Sequence, residues 1–172
     1  MPENKKVLDN IVIEGAKIIW KNFKGEVSPN NRGGERNFDV RIDDPALARL
    51  FADDGWNIKH YPKENPMFSR DEEGEFDYLP VAIRFDIEYY MPKVVLITNG
   101  RNQKMKESNI AILDDLFFEN VDISIRPRPW STVEGKSGIK AYVQTLYVTA
   151  RETTDPFADK YNVDVDIPFD PD

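Results

Sequence analysis

Positively charged side chains stand beside aromatic ones at several places along these 172 residues. Trp20 adjoins Lys21, Arg36 lies near Phe38, Lys59 is two residues from Tyr61, and Lys136 and Lys140 precede Tyr142. Such interleaving suits a single nucleic-acid strand held without reading its sequence: cations follow the phosphates and flat rings stack on the bases. The run Arg126-Pro127-Arg128-Pro129-Trp130 is the strongest case. Its two Arg share strand parity, they lead to a Trp, and the prolines stiffen the exit. Single rings are ambiguous. Phe38 shares parity with Val40 and Ile42 and is expected in the core. Trp20 and Trp56 belong to a type more often found in cores. Tyr142 shares a face with Lys140 and Gln144, which leaves its exposure open. The candidate contacts are therefore Trp20, Lys21, Arg36, Lys59, Tyr61, Arg126, Arg128, Trp130, Lys136, Lys140 and Tyr142.

Catalysis is the weaker reading. The carboxylate pairs Asp53/Asp54, Glu72/Glu73 and Asp114/Asp115 would each have to converge on metal ions. Neighbouring residues point to opposite faces of a strand, and sit about 100° apart on a helix. Charged surface is the simpler explanation. The single histidine, His60, has no cysteine or second histidine with which to share a metal. Neither a phosphate-binding loop nor a dinucleotide fingerprint is present. The expectation is a non-enzyme that needs no metal or cofactor.

The elements that must carry these residues are mostly strands. Ile11 to Trp20 reads as a first strand with a bend at Gly15, and Glu35 to Ile42 as a second. Asp44 to Gly55 reads as a helix: Asp44 caps it, Pro45 suits its first turn and Gly55 its left-handed stop. Leu47, Leu50 and Phe51 share one face of it. Trp56 to Tyr61 returns as a strand, and Pro62 to Gly74 is a polar excursion. Tyr78 to Tyr90 reads as the longest strand. Lys93 to Thr98 and Arg101 to Met105 flank the hairpin signal Asn99-Gly100. Ser108 to Leu116 suggests a short helix capped by Ser108, Val121 to Arg128 a further strand, and Ile139 to Ala150 the last. Many short strands with two helices imply a mainly β domain. An antiparallel Greek-key barrel with helices between strands is an OB-fold, and an open sandwich is the main alternative. The expected division is an OB-fold-like domain at 1–150 and a flexible acidic tail at 151–172.

Charge is uneven. The net charge is −8, and residues 151–172 hold seven acids and two bases, leaving −3 for the remaining 150 residues. An acidic body does not by itself point to nucleic acid, so binding requires local clustering of Lys and Arg. No cysteine is present, which fits a reducing compartment, and no signal peptide or membrane-spanning run is expected. The chain ends Asp164-Val165-Asp166-Ile167-Pro168-Phe169-Asp170-Pro171-Asp172. Repelling carboxylates and two prolines forbid a regular helix there. Ile167 to Phe169 instead offers an apolar hook on a negatively charged string.

This tip resembles the acidic end of bacterial single-stranded DNA-binding proteins, Asp-Asp-Ile-Pro-Phe, which recruits replication and repair enzymes. It departs from that pattern in continuing past Phe169. The resemblance implies partner binding through Asp166, Ile167, Pro168 and Phe169. The body resembles a family of phage-encoded single-stranded DNA-binding proteins of OB-fold type. Arg36-Asn37-Phe38, Asp54-Gly55-Trp56-Asn57 and Lys136-Ser137-Gly138-Ile139-Lys140-Ala141-Tyr142 carry that resemblance. It implies a protein that coats and protects single-stranded DNA during phage replication or recombination, in the cytoplasm of an infected bacterium. Its partners would be single-stranded DNA and replication or repair enzymes, with no membrane, and self-association left open. The competing reading is a β-rich protein-interaction adaptor with no nucleic-acid role.

Overall fold

The computed structural model describes residues 9–28, 31, 34–61, 75–87 and 90–152. In chain order it contains β1 (Ile11–Ile13), β2 (Lys17–Asn22), β3 (Arg36–Ile42), α1 (Pro45–Asp54), β4 (Lys59–Tyr61), β5 (Phe76–Ile83), β6 (Lys93–Thr98), β7 (Arg101–Met105), a 3-10 helix (Ile110–Asp115), β8 (Leu116–Ser131) and β9 (Ser137–Glu152). The expected boundary at residue 150 falls inside β9. Asp166, Ile167, Pro168 and Phe169 lie outside the described residues, as do Glu72 and Glu73.

The frame is the β8–β9 hairpin, antiparallel from Leu116 opposite Glu152 to Ser131 opposite Ser137. Register shifts at Phe118/Asn120 and Ser124/Ile125 bend it, as an extra residue in one strand must. The other edge of β9 takes β5 at Val81/Ala141 and β6 along Lys93 to Ile97, both parallel. The path then runs β1-β8-β9-β5-β3-β2, with β4 on β5 and the β6–β7 hairpin on β9. The mainly β fold with two short helices follows the sequence. The sheet is mixed rather than wholly antiparallel, and among the described residues β1 and β2 do not join to close it. Alternating side chains dictate which face a strand buries, and leave its partner and direction unspecified.

Alternation builds the core of this mainly β arrangement. Phe38, Val40 and Ile42 on β3 and Leu79, Val81 and Ile83 on β5 are buried, while Asn37, Asp39 and Arg41 face outward. Phe23 stacks on Phe38 at 5.2 Å between ring centroids, so the core extends beneath β2. Gly15, at φ 64°, splits the expected first strand into β1 and β2. Asp44 caps α1 by accepting from the Ala46 N–H at 3.0 Å, and Gly55 ends it at φ 106°.

Of the α1 face shared by Leu47, Leu50 and Phe51, Phe51 packs against the core while Leu50 is 57% exposed, and Ala48 is the buried residue of the helix. The helix end is fixed by the Ile139 N–H bonded to the Gly55 carbonyl and by buried Trp56, and that anchoring sets its rotation. Two expectations are corrected. β5 stops at Ile83 and the chain bends at Phe85 and Asp86, where Arg84 pairs with Asp86. Ser108 is not a cap: the helix is 3-10 and starts at Ile110, and Asn109 accepts from the Lys106 N–H at 2.8 Å.

Candidate nucleic-acid interface

The outward faces of β2, β3, β5 and β9 enclose an open groove of about 1020 Å³. Trp20, Tyr61 and Tyr78 line it, and Phe76 packs against them. Trp20 meets Tyr61 at 5.3 Å and Tyr78 at 5.0 Å, both edge to face, and Tyr61 stacks on Phe76 at 5.3 Å. Register explains the gathering, since β4 lays Tyr61 opposite Phe76 and Lys59 opposite Tyr78. Trp20 sits where the β2–β3 register slips between Ile19 and Asn22, with φ at 50°. A left-handed backbone is costly for a bulky residue and recurs at functional positions. The conformation leaves the indole 50% exposed, against the core expectation for this residue.

Trp130 lines the same groove and is 46% exposed. It lies directly opposite Gly138. A Cβ at Gly138 would fall 2.9 Å from Trp130 Cζ2, so the indole rests on the bare backbone. Glycine is what allows that close approach. Pro127 and Pro129 sit in β8 beyond its pairing with β1, where only β9 lies alongside, opposite Ala141 and Ile139.

The groove is electrically mixed. Lys59 and Lys140 line it together with Glu35 and Asp39. Lys140 Nζ donates to Glu35 Oε1 at 2.8 Å; burial pulls its pKa down, but Glu35 outweighs this and leaves it raised. Burial pushes the Asp39 carboxyl up to about 6, against the opposing pull of Lys59. Tyr78 is raised as well, first by burial and then by the Asp39 charge.

A second hollow of about 300 Å³ adjoins this groove through β9, between Tyr90 and Tyr142. Arg126 lies 4.6 Å over Tyr90, and Arg128 lies 5.9 Å over Tyr142, whose ring Lys140 approaches at 5.4 Å. Arg84 reaches it too, paired with Asp86 and hydrogen-bonded to Tyr142. On the hairpin the opposed pairs Trp130/Gly138, Arg128/Lys140 and Arg126/Tyr142 follow one another at two-residue intervals, so they share one face.

Trp20, Lys59, Tyr61, Trp130 and Lys140 are thus brought together in the groove, with Arg126, Arg128 and Tyr142 beside it. The remaining candidates stand elsewhere. Lys21 donates to the Leu113 and Leu116 carbonyls at 3.0 and 2.6 Å and lies over Phe118; burial lowers its pKa, against Asp114 and Asp115. Arg36 donates to the Phe23 and Lys24 carbonyls, each at 2.9 Å, and so ties down the end of β2. Lys136 lies in the exposed β8–β9 turn. The carboxylates likewise have structural work: Asp114 accepts from the Phe23 and Lys24 N–H groups. His60 pairs with Asp77 at 3.0 Å. Among the described residues no cluster of His, Cys, Asp and Glu could hold a metal, and no helix is long and apolar enough to cross a membrane.

Sequence reasoning missed Phe76, Tyr78, Asp39, Tyr90 and Arg84. The alternation Phe76, Tyr78, Pro80 opposite Leu79 and Val81 was a usable signal for an aromatic outer face on β5. Nothing local marked Tyr90.

None of the curated proteins matches the sequence. Among solved structures, the single-stranded DNA-binding protein of bacteriophage Enc34 is similar over 91% of this chain and 96% of its own, at 13% identity and a TM-score of 0.49. Its C-terminal truncation covers 86% and 88%, at 15% identity and 0.47. The single-stranded DNA-binding protein gp2.5 of bacteriophage T7 covers 94% and 98%, at 9% identity and 0.41. The family model described as a phage ssDNA-binding domain matches residues 2–171, nearly the whole sequence, and the chain belongs to that family.

Proposed function

We propose that this chain binds single-stranded DNA along the groove between β2 and β9. One observation carries the proposal: three half-exposed rings, Trp20, Tyr61 and Trp130, line one groove with Lys59 and Lys140. Stacking needs accessible ring faces, and phosphate tracking needs cations within reach of the same strand. Trp20, Tyr61 and Trp130 act as stacking platforms. Lys59, Lys140, Arg128 and Arg126 hold phosphates, with Lys140 exchanging Glu35 for a phosphate oxygen. Family membership supports the same assignment. A duplex presents its bases edge-on inside paired strands, which leaves the rings nothing to stack on.

In this reading the body coats single strands during phage replication or recombination. Asp166, Ile167, Pro168 and Phe169 recruit a replication or repair enzyme of the host or phage. Titration with fluorescent oligo(dT) and with duplex at low and moderate salt tests the assignment. Binding should favour the single strand and weaken as salt rises, because phosphate contacts release counterions. Absence of binding at low salt would leave the protein-interaction adaptor as the surviving reading.

A further inference from the structure

The hollow between Tyr90 and Tyr142 is built differently from the groove. The groove is open and mixed in charge, whereas the hollow is small and walled by Ile87, Val143, Pro127, Pro129 and the two tyrosines. The charged residues that line it are Arg84, Arg126 and Arg128. Arg84 is committed to Asp86. Among the described residues Arg126 and Arg128 form no ion pair within 4.0 Å, although Arg128 is near enough to Asp86 to help Arg84 hold that carboxyl below its usual range; each guanidinium lies over a tyrosine ring. A guanidinium over an aromatic face keeps its edge N–H donors free for a phosphate. Tyr90 is 55% exposed, so its ring is accessible from solvent.

We infer that this hollow is a nucleobase pocket: one unstacked base of the bound strand enters between Tyr90 and Tyr142, and Arg126 and Arg128 hold its flanking phosphates. The inference rests on the single-strand reading and extends it to a site of different character. Its volume of about 300 Å³ is at the lower end of ligand pockets, suited to one base with its sugar. Continuity supplies the path. Arg128 is opposite Lys140, which lines the groove, and Lys140 is 5.4 Å from the Tyr142 ring that walls the hollow. A strand leaving Trp130 would pass Arg128 and Lys140 and reach Arg126 and Tyr142 in even steps along the hairpin. Apolar walls with no fixed hydrogen-bond pattern would accept any base.

The test compares the wild type and Tyr90→Ala, with Trp130→Ala as reference, at low salt on oligo(dT) and on a base-free sugar-phosphate strand of equal length. Tyr90→Ala removes an exposed ring and leaves every cation in place. It should weaken oligo(dT) binding about tenfold, the worth of one stacked base, and leave base-free binding unchanged. Equal affinity of Tyr90→Ala and wild type for oligo(dT) would overturn the pocket while Trp130→Ala still reports on the groove. An equal loss on both strands would reduce the hollow to a backbone contact, and also overturn it. If Tyr90→Ala leaves oligo(dT) binding intact yet abolishes a gain produced by deleting residues 162–172, the occupant is the acidic segment and not a base. Failure of the wild type to bind either strand would reject the single-strand reading itself. Arg126→Lys provides a second variant: it keeps the charge and removes the fork, and should lose several-fold on oligo(dT).

Discussion

Asp39 is the residue at which the groove carries its largest electrostatic cost. A half-buried carboxyl in a channel for a polyanion is unfavourable when ionised, and desolvation pushes its pKa up to about 6. Lys59 opposes the shift, Tyr78 is raised by burial and by the Asp39 charge, and Glu35 is occupied with Lys140. A raised acid favours its protonated form in the fold. Its penalty is therefore present above about 6 and relieved as pH falls below that value. Asp39→Asn should accordingly stabilise the protein at pH 8, by about 1 kcal/mol once solvent screening is allowed for, and lose that advantage near pH 4. Urea unfolding at the two values checks the sign. Bound phosphates would raise Asp39 further, so wild-type affinity for oligo(dT) should rise as pH falls from 8 to 5.5, with a flatter profile in Asp39→Asn. Trp20 supplies the other test at this scale. Trp20→Gly and Trp20→Ala should both weaken oligo(dT) binding about tenfold. The glycine variant should be more stable than the alanine variant by roughly 1 kcal/mol in urea unfolding, because φ at 50° is free of strain only without a Cβ.

The β8–β9 hairpin is the element that turns separate cations into one surface. Strand parity placed Arg126 and Arg128 on the outward side of β8 and Lys140 and Tyr142 on that of β9, and the register sets them opposite one another. That much was legible because parity is a local property. Arg128→Ala should lower the salt slope for single-strand binding by about 0.7, the single-strand value for one phosphate contact, measured from affinities between 50 and 200 mM salt. Lys21→Ala, whose ammonium is spent on the Leu113 and Leu116 carbonyls, should leave that slope unchanged. The misplaced features depended on distant partners. Trp20 read as a core residue because its type is usually buried, and a register slip in β2 turned it out. Tyr78 to Tyr90 read as one strand, whereas β5 ends at Ile83 and the chain bends at Phe85 and Asp86. The parallel pairings of β9 had no local marker either, since alternation is the same for both directions.

For the whole molecule the balance of charge is the controlling quantity. A net charge of −8 is concentrated toward the C-terminal end, and the cations that matter are gathered on one side of the sheet. We propose that the carboxylates of residues 162–172 compete with phosphate for those cations through space. Deleting these residues should tighten oligo(dT) binding, most at low salt where screening is weakest. Phe169→Ala keeps every charge, and should leave DNA affinity unchanged while reducing pull-down of a replication enzyme.

The intrinsic fluorescence of the three tryptophans tests the groove most directly. Trp20 and Trp130 are half exposed in it, while Trp56, which also lines it, is only 5% exposed. Oligo(dT) added to the wild type should quench emission to saturation. The Trp20→Phe, Trp130→Phe double variant should lose most of that quench and still bind, more weakly. Full binding to oligo(dT) with no change in wild-type emission would place the DNA on another surface and contradict the account.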